Sequence, residues 1–183
     1  MTLENQIEAL AELGVVMNEG VTIDDLLYSW DRSDYESSPY DMILFMYGVE
    51  IEREPWGRFV SDCAWNLDME CVDGSGSYVE IVRNLARISG QGASVTNIAD
   101  EVDFDEGTAW VSYEVDGVAM KHVASVNDDW ADPDVVVRIM QDLERGGRKF
   151  YAKDNGQSSI WYFLTKDQVR GLNALSGGAL GGG

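Results

Sequence analysis

The stretch TAWVSYEV (108–115), DG (116–117) and VAMKHVASV (118–126) decides the fold class. Two runs rich in β-branched and aromatic residues are joined by Asp116-Gly117. A two-residue connection of this composition closes a β-hairpin, because both turn positions need positive φ. The chain therefore contains antiparallel sheet. A second pair of β-rich runs, 148–153 and 158–164, flanks Asp154-Asn155-Gly156 and repeats the signal.

Helices are expected around these hairpins. Leu3, Ile7, Leu10 and Leu13 recur at helical spacing before a stop at Gly14. Thr22 caps a second helix, with Asp24 and Asp25 in its first turn and Ile23, Leu26, Leu27 and Trp30 on its apolar face. Ser77 and Glu80 have the spacing of a capping box, opening a helix through Ile81, Leu85 and Ile88. Asp132-Pro133 starts another, with Val136, Ile139, Met140 and Leu143 as its stripe. Thr165 and Gln168 form a second capping box ahead of Val169, Leu172 and Leu175. The apolar run 42–47 fits either a buried strand or a short buried helix. Residues 49–54 alternate as a strand leaving the core would, and 64–72 reads as another strand. These elements predict an α+β fold: a single domain over 1–175, mainly antiparallel sheet packed with about five helices. A flexible glycine-rich tail is expected at 176–183.

The charge is lopsided. Thirteen basic residues face 33 acidic ones, a net of −20, in a chain that is 45% hydrophobic and so able to build a core. Residues 1–120 hold 25 acids and five bases, whereas 121–183 hold eight of each. Such a surface repels a phosphate backbone and an anionic membrane, which argues against direct nucleic-acid or membrane binding. The excess serves either solubility or the attraction of a basic protein, whose encounter such a field steers. On this reading a near-neutral C-terminal scaffold carries an acidic N-terminal and central surface. No apolar run approaches the roughly 20 residues of a membrane span. The start, Thr2-Leu3-Glu4-Asn5, lacks the basic region of an export signal, so a cytoplasmic location is expected. Cys63 and Cys71 read as reduced, partly buried thiols.

Motifs for chemistry are sparse. His122 is the sole histidine, set among valines in a strand, and with two cysteines it does not complete a four-ligand zinc site. The acids at 127–134 and at Asp103-x-Asp105-x-Gly107 lack the glycine and terminal glutamate of a calcium loop. Gly74-x-Gly76 has neither the third glycine nor the lysine of a phosphate cradle. No cofactor, no metal and no enzymatic activity are expected. Of the six tryptophans, Trp65, Trp110 and Trp161 fit the apolar faces of strands. Trp56, after Glu54-Pro55, and Trp130, after Asp128-Asp129, lie in loops among carboxylates, either as anchors in a charged rim or folded back as lids on their own core. The candidate partner-binding residues are therefore Trp56, Asp103, Asp105, Glu106, Asp128, Asp129 and Trp130.

Three strings in the C-terminal part occur in a telling order: Val126-Asn127-Asp128-Asp129-Trp130-Ala131-Asp132-Pro133, then Phe150-Tyr151-Ala152-Lys153-Asp154-Asn155-Gly156-Gln157, then Thr165-Lys166-Asp167-Gln168-Val169-Arg170-Gly171-Leu172-Asn173. Residues 126–175 thereby resemble the immunity proteins encoded beside bacterial polymorphic and interbacterial toxins. Those proteins share a D-W-x-D-P helix start, an F-Y-x-x-D-x-G-Q turn and a terminal T-x-x-Q/E-x-x-x-L helix. Ser158-Ser159 after Gln157 and the glycine-rich tail depart from that pattern. The resemblance implies a protein that binds a cognate basic toxin domain and neutralises it, the toxin being a nuclease or a nucleotide-modifying enzyme of the cytosol. Two alternatives are an acidic adaptor or regulatory subunit for a basic partner, and a metal-dependent hydrolase using the acids at 128–134.

Overall fold

A computed structural model describes residues 1–182. The chain begins with four helices, α1 (Leu3–Glu12), α2 (Ile23–Leu26), α3 (Arg32–Ser37) and α4 (Asp41–Met46), and then strand β1 (Ala64–Asp68). The middle of the chain forms α5 (Ser77–Ile88), the strands β2 (Val95–Asp103), β3 (Thr108–Val115) and β4 (Val118–Ser125), and α6 (Pro133–Leu143). The last part adds β5 (Arg148–Asn155), β6 (Ser158–Thr165), α7 (Lys166–Ser176) and β7 (Leu180–Gly181). The fold is α+β, as the hairpin signals imply, but it holds two sheets, ordered β1-β6-β5-β7 and β2-β3-β4. No helix among the described residues is long and apolar enough to cross a membrane.

The chain divides into two compact units. The first joins Met1–Asn66 to Gly147–Gly183, and the second is Leu67–Gly146. The first unit is built on the four-stranded sheet, whose core gathers Leu3, Leu10, Tyr35, Ile43, Ile160, Tyr162 and Leu172 from both of its chain segments. Each fully buried aliphatic side chain of this kind stabilises the fold by about 1.5–3 kcal/mol. The second unit packs α5 and α6 on one face of the three-stranded sheet, burying Ile81, Leu85, Val111, Tyr113, Ile139 and Leu143.

Local signals are realised where their partners lie close in sequence. Asp116 and Gly117 both take positive φ, 49° and 79°, between strands in continuous antiparallel register from Thr108↔Ser125 to Val115↔Val118. Thr165 and Gln168 cap α7 reciprocally, and Asp132 caps α6 with Pro133 in its first turn. The run at 42–47 is helical.

Several expectations are corrected. Residues 49–54 form no strand; a single bridge joins Glu50 to Phe59. Ser77 does not cap α5: Gly76 occupies that position, and the carboxylate of Asp100 receives the N–H groups of Gly76, Tyr78 and Val79 at 2.6, 2.9 and 3.1 Å. The tail does not run free throughout, because Gly177 closes α7 in a left-handed conformation and Leu180, 5% exposed, pairs with Lys153 as part of β7. Trp65, Trp110 and Trp161 are half-buried, and Trp110 lies on the sheet face away from the helices, with the Lys121 ammonium 4.3 Å from its ring centroid. The near-neutral third is no separate scaffold either, since 147–183 folds into the same unit as 1–66.

Gly48 shows how tightly the first unit closes. A Cβ there would meet Ile160 Cγ2 at 2.7 Å and the Asn66 backbone nitrogen at 2.9 Å. Gly48→Ala is therefore expected to destabilise the protein by about 1–3 kcal/mol. Gly92→Ala, at a position with open space around it, should stay within about 0.5 kcal/mol of the parent. Urea denaturation of the two variants decides; equal stabilities would contradict the packing described.

Candidate partner-binding site

The β2–β3 and β4–α6 connections leave the same end of the three-stranded sheet, because Asp103 pairs with Thr108 and Thr108 pairs with Ser125. In the first connection the Asp103 carboxylate accepts the N–H groups of Asp105 and Glu106 at 3.0 and 2.9 Å, an Asx-type turn. That geometry places Phe104, Asp105 and Glu106 outward; all three are exposed, Phe104 by 46%. In the second, the chain turns back on itself. Trp130 N–H donates to the Asn127 carbonyl, Asp128 takes a positive φ of 53°, and Asp132 receives the Ser125 N–H at 2.7 Å. Asp128, Asp129 and Trp130 therefore sit on a loop rooted at the end of β4, with Trp130 38% exposed.

A third segment joins them. Val72 N–H donates to the Asp129 carbonyl and Ala131 N–H to the Met69 carbonyl, so 69–72 runs alongside the loop. The field at Cys71 registers the resulting crowd of acids. Its thiol is pushed up to about 11, first by burial and then by the charges of Asp68, Asp73 and Asp129. Tyr78, whose hydroxyl oxygen accepts the Asp132 N–H at 2.9 Å, is raised too, chiefly by burial. The Ser75 hydroxyl receives the Val102 N–H, which ties the start of α5 to the same end of β2.

These carboxylates divide by what they already hold. Asp100 and Asp132 cap helices, and Asp103 is committed to its turn. Burial works to raise the pKa of Asp132, but the N–H groups of Ser125, Asp134 and Val135 outweigh it and hold the carboxyl below its ordinary value. By contrast, Asp105, Glu106, Asp128 and Asp129 are exposed, and no ion pair or side-chain hydrogen bond engages their carboxylates among the described residues. The second unit as a whole has 17 acidic and five basic residues, a net charge of −12.

Six of the seven candidate residues thus lie together at one end of the second unit. Trp56 belongs to the first unit, where it is 66% exposed beside the cis Glu54-Pro55 bond. Phe104 was not singled out from the sequence; its flanking acids were, and an apolar residue between Asp103 and Asp105 at a hairpin tip is the signal that marks it. His122 is half-buried, its Nε2 2.8 Å from Asp142 Oδ2, which also accepts the Tyr113 hydroxyl at 2.8 Å. That trio joins β3 and β4 to α6. Among the described residues no group of three or more His, Cys, Asp or Glu side chains is placed to hold a metal ion. No protein-family model, curated protein or solved structure matches the chain.

Proposed function

We propose that this protein is an immunity protein that binds a basic toxin domain and neutralises it in the cytosol. One observation carries the reading: four carboxylates without an ion-pair or side-chain hydrogen-bond partner among the described residues project beside Phe104 and Trp130 at a single end of the second unit. Like charges held close together repel one another and lower the stability of the chain that bears them. A cationic partner reverses the sign of that cost. The two aromatic side chains supply apolar contact area at low entropic cost, in the arrangement of an anchor within a polar rim. The resemblance of residues 126–175 to immunity proteins turns this from binding in general to inhibition. A toxin that acts on nucleic acids needs a basic face, which a polyanionic surface covers. A nuclease is the first such target and a nucleotide-modifying toxin the second.

The experiment is co-expression with the product of the adjoining gene. The expected result is growth arrest by that product alone, restored growth when this protein is present, and a one-to-one complex on size-exclusion chromatography. A complex with a non-toxic neighbour would replace inhibition by an adaptor role. Toxicity without rescue and without a complex would end the proposal.

A further inference from the structure

We infer that a cavity in the first unit receives an arginine side chain of a partner protein. The cavity has a volume of about 230 Å³, with Trp30, Phe45, Val49 and Ile51 as apolar walls and Glu50 and Glu52 on its lining. It lies in the unit that does not carry the acidic end described above, so it stands independently of the proposed inhibition.

Charge decides what fits. Asp25 also lines the cavity, but Arg53 and Arg58 already hold it, with Nη2 atoms 2.7 and 3.3 Å from its Oδ1. The Arg53 guanidinium is further placed 5.6 Å from the Tyr28 ring centroid. Glu50 accepts only the Gly57 N–H, at 2.7 Å, and Glu52 the Ser29 hydroxyl, at 3.1 Å, and neither has an ion-pair partner among the described residues. A second cavity, of about 220 Å³, shares Trp30 and Phe45, but its Asp41 and Lys153 are paired at 2.9 Å and leave no surplus charge.

The ligand must therefore offer an apolar stem and a cationic head. An uncharged apolar side chain would strip water from two carboxylates and return nothing. Lysine carries a compact, strongly hydrated charge, whereas a guanidinium is weakly hydrated, stacks on an indole and presents paired donors to a carboxylate. Trp30, 42% exposed although the sequence puts it on an apolar helix face, supplies that stacking surface. The methylenes lie along Val49 and Ile51 as snorkelling side chains do. The first unit has 16 acidic and eight basic residues, a field that draws a basic protein surface towards it.

The test is a titration of the full-length protein with acetyl-Gly-Arg-Gly-amide and with its citrulline counterpart, which is neutral and nearly the same shape. Binding is read by NMR at the Trp30 indole N–H and the Ile51 methyls. Saturable shifts are expected with the arginine peptide, and affinity about twofold to fivefold lower with citrulline. The double variant Glu50→Gln/Glu52→Gln, which keeps an acceptor oxygen for Gly57 and Ser29, should lose the same factor. Asp167→Asn, at an exposed ion pair away from the cavity and from the acidic end, should change nothing. Equal binding of citrulline, unchanged affinity in the Glu50/Glu52 variant, or shifts centred on Phe104 and Trp130 would each overturn the inference. None of these outcomes bears on growth rescue, so the two proposals fail separately.

Discussion

Replacing Asp105, Glu106, Asp128 and Asp129 by lysine is expected to slow association with the proposed basic toxin domain by about 10- to 1000-fold at low ionic strength. All four carboxylates lie on two connections at one end of the second unit and are exposed. Their joint field acts on the encounter before any contact forms. Added salt should erase most of the difference, because the screening length shrinks to about 8 Å near physiological ionic strength. Asp103 is left intact, since its carboxylate holds two N–H groups of the turn and reversing it would disturb the backbone. Trp130→Ala should behave in the opposite way, leaving association near its parent rate and raising dissociation by about 30-fold, as loss of a 2 kcal/mol anchor does. Asp167→Lys, at an exposed ion pair in the first unit, serves as the control for net charge. Stopped-flow association at several NaCl concentrations measures all three. If Asp167→Lys slows binding as much per charge as the quadruple variant, the acidic end has no special role and the site assignment falls.

What the sequence discloses follows the range of the interaction. Asp116-Gly117, Asp132-Pro133 and the Thr165/Gln168 pair act within a few residues, and each forms the structure its local chemistry dictates. The acids at 128–129 read as a loop from the sequence, and those at 103–106 as candidate partner contacts. Their meeting at one end of a sheet follows from the hairpin register, which Asp116-Gly117 sets. Strand β2 was missed because Thr96-Asn97 interrupts its alternation: Asn97 has φ 54° and the register slips between Thr96 and Ala99. Long-range partners leave no such mark. Asp100 caps a helix that starts 23 residues before it. Gln6, on the buried side of α1, donates to the Tyr35 carbonyl at 2.9 Å and accepts the Tyr40 N–H at 2.8 Å, which joins three helices through one amide. Leu180 reads as tail composition until β5 offers it an open edge. In each case the fold supplies the partner, and the residue type alone permits several.

Asp25 is the strongest case of this kind, and its replacement carries the largest stability effect expected here. Read locally it is a first-turn acid of α2. In the structure its side chain is 2% exposed; it accepts the Thr22 N–H and hydroxyl at 2.8 and 3.0 Å and binds both Arg53 and Arg58. Asp25→Asn keeps an acceptor for Thr22 but leaves two half-buried guanidinium groups without their counter-charge. A loss of about 2–4 kcal/mol is expected, below the full cost of breaking a wholly buried pair because the arginines can turn to water. Asp24→Asn, one residue away and exposed, should shift stability by no more than about 0.5 kcal/mol. The pH dependence distinguishes charge from shape. Burial works to raise the pKa of Asp25, but Thr22 and Arg53 outweigh it, so the folded value lies below the ordinary carboxylate value. Such a group stabilises the fold fully above the unfolded value, about pH 4, and loses that contribution as pH falls towards the folded one. The gap between parent and Asp25→Asn should therefore be flat from about pH 5 to 8 and narrow below about pH 4. A gap that persisted undiminished to pH 2 would assign the loss to packing instead. Arg53 and Arg58 belong to the same 50–58 segment as Glu50 and Glu52, so the variant should also weaken the arginine peptide at pH 7, where Asp24→Asn leaves it unchanged.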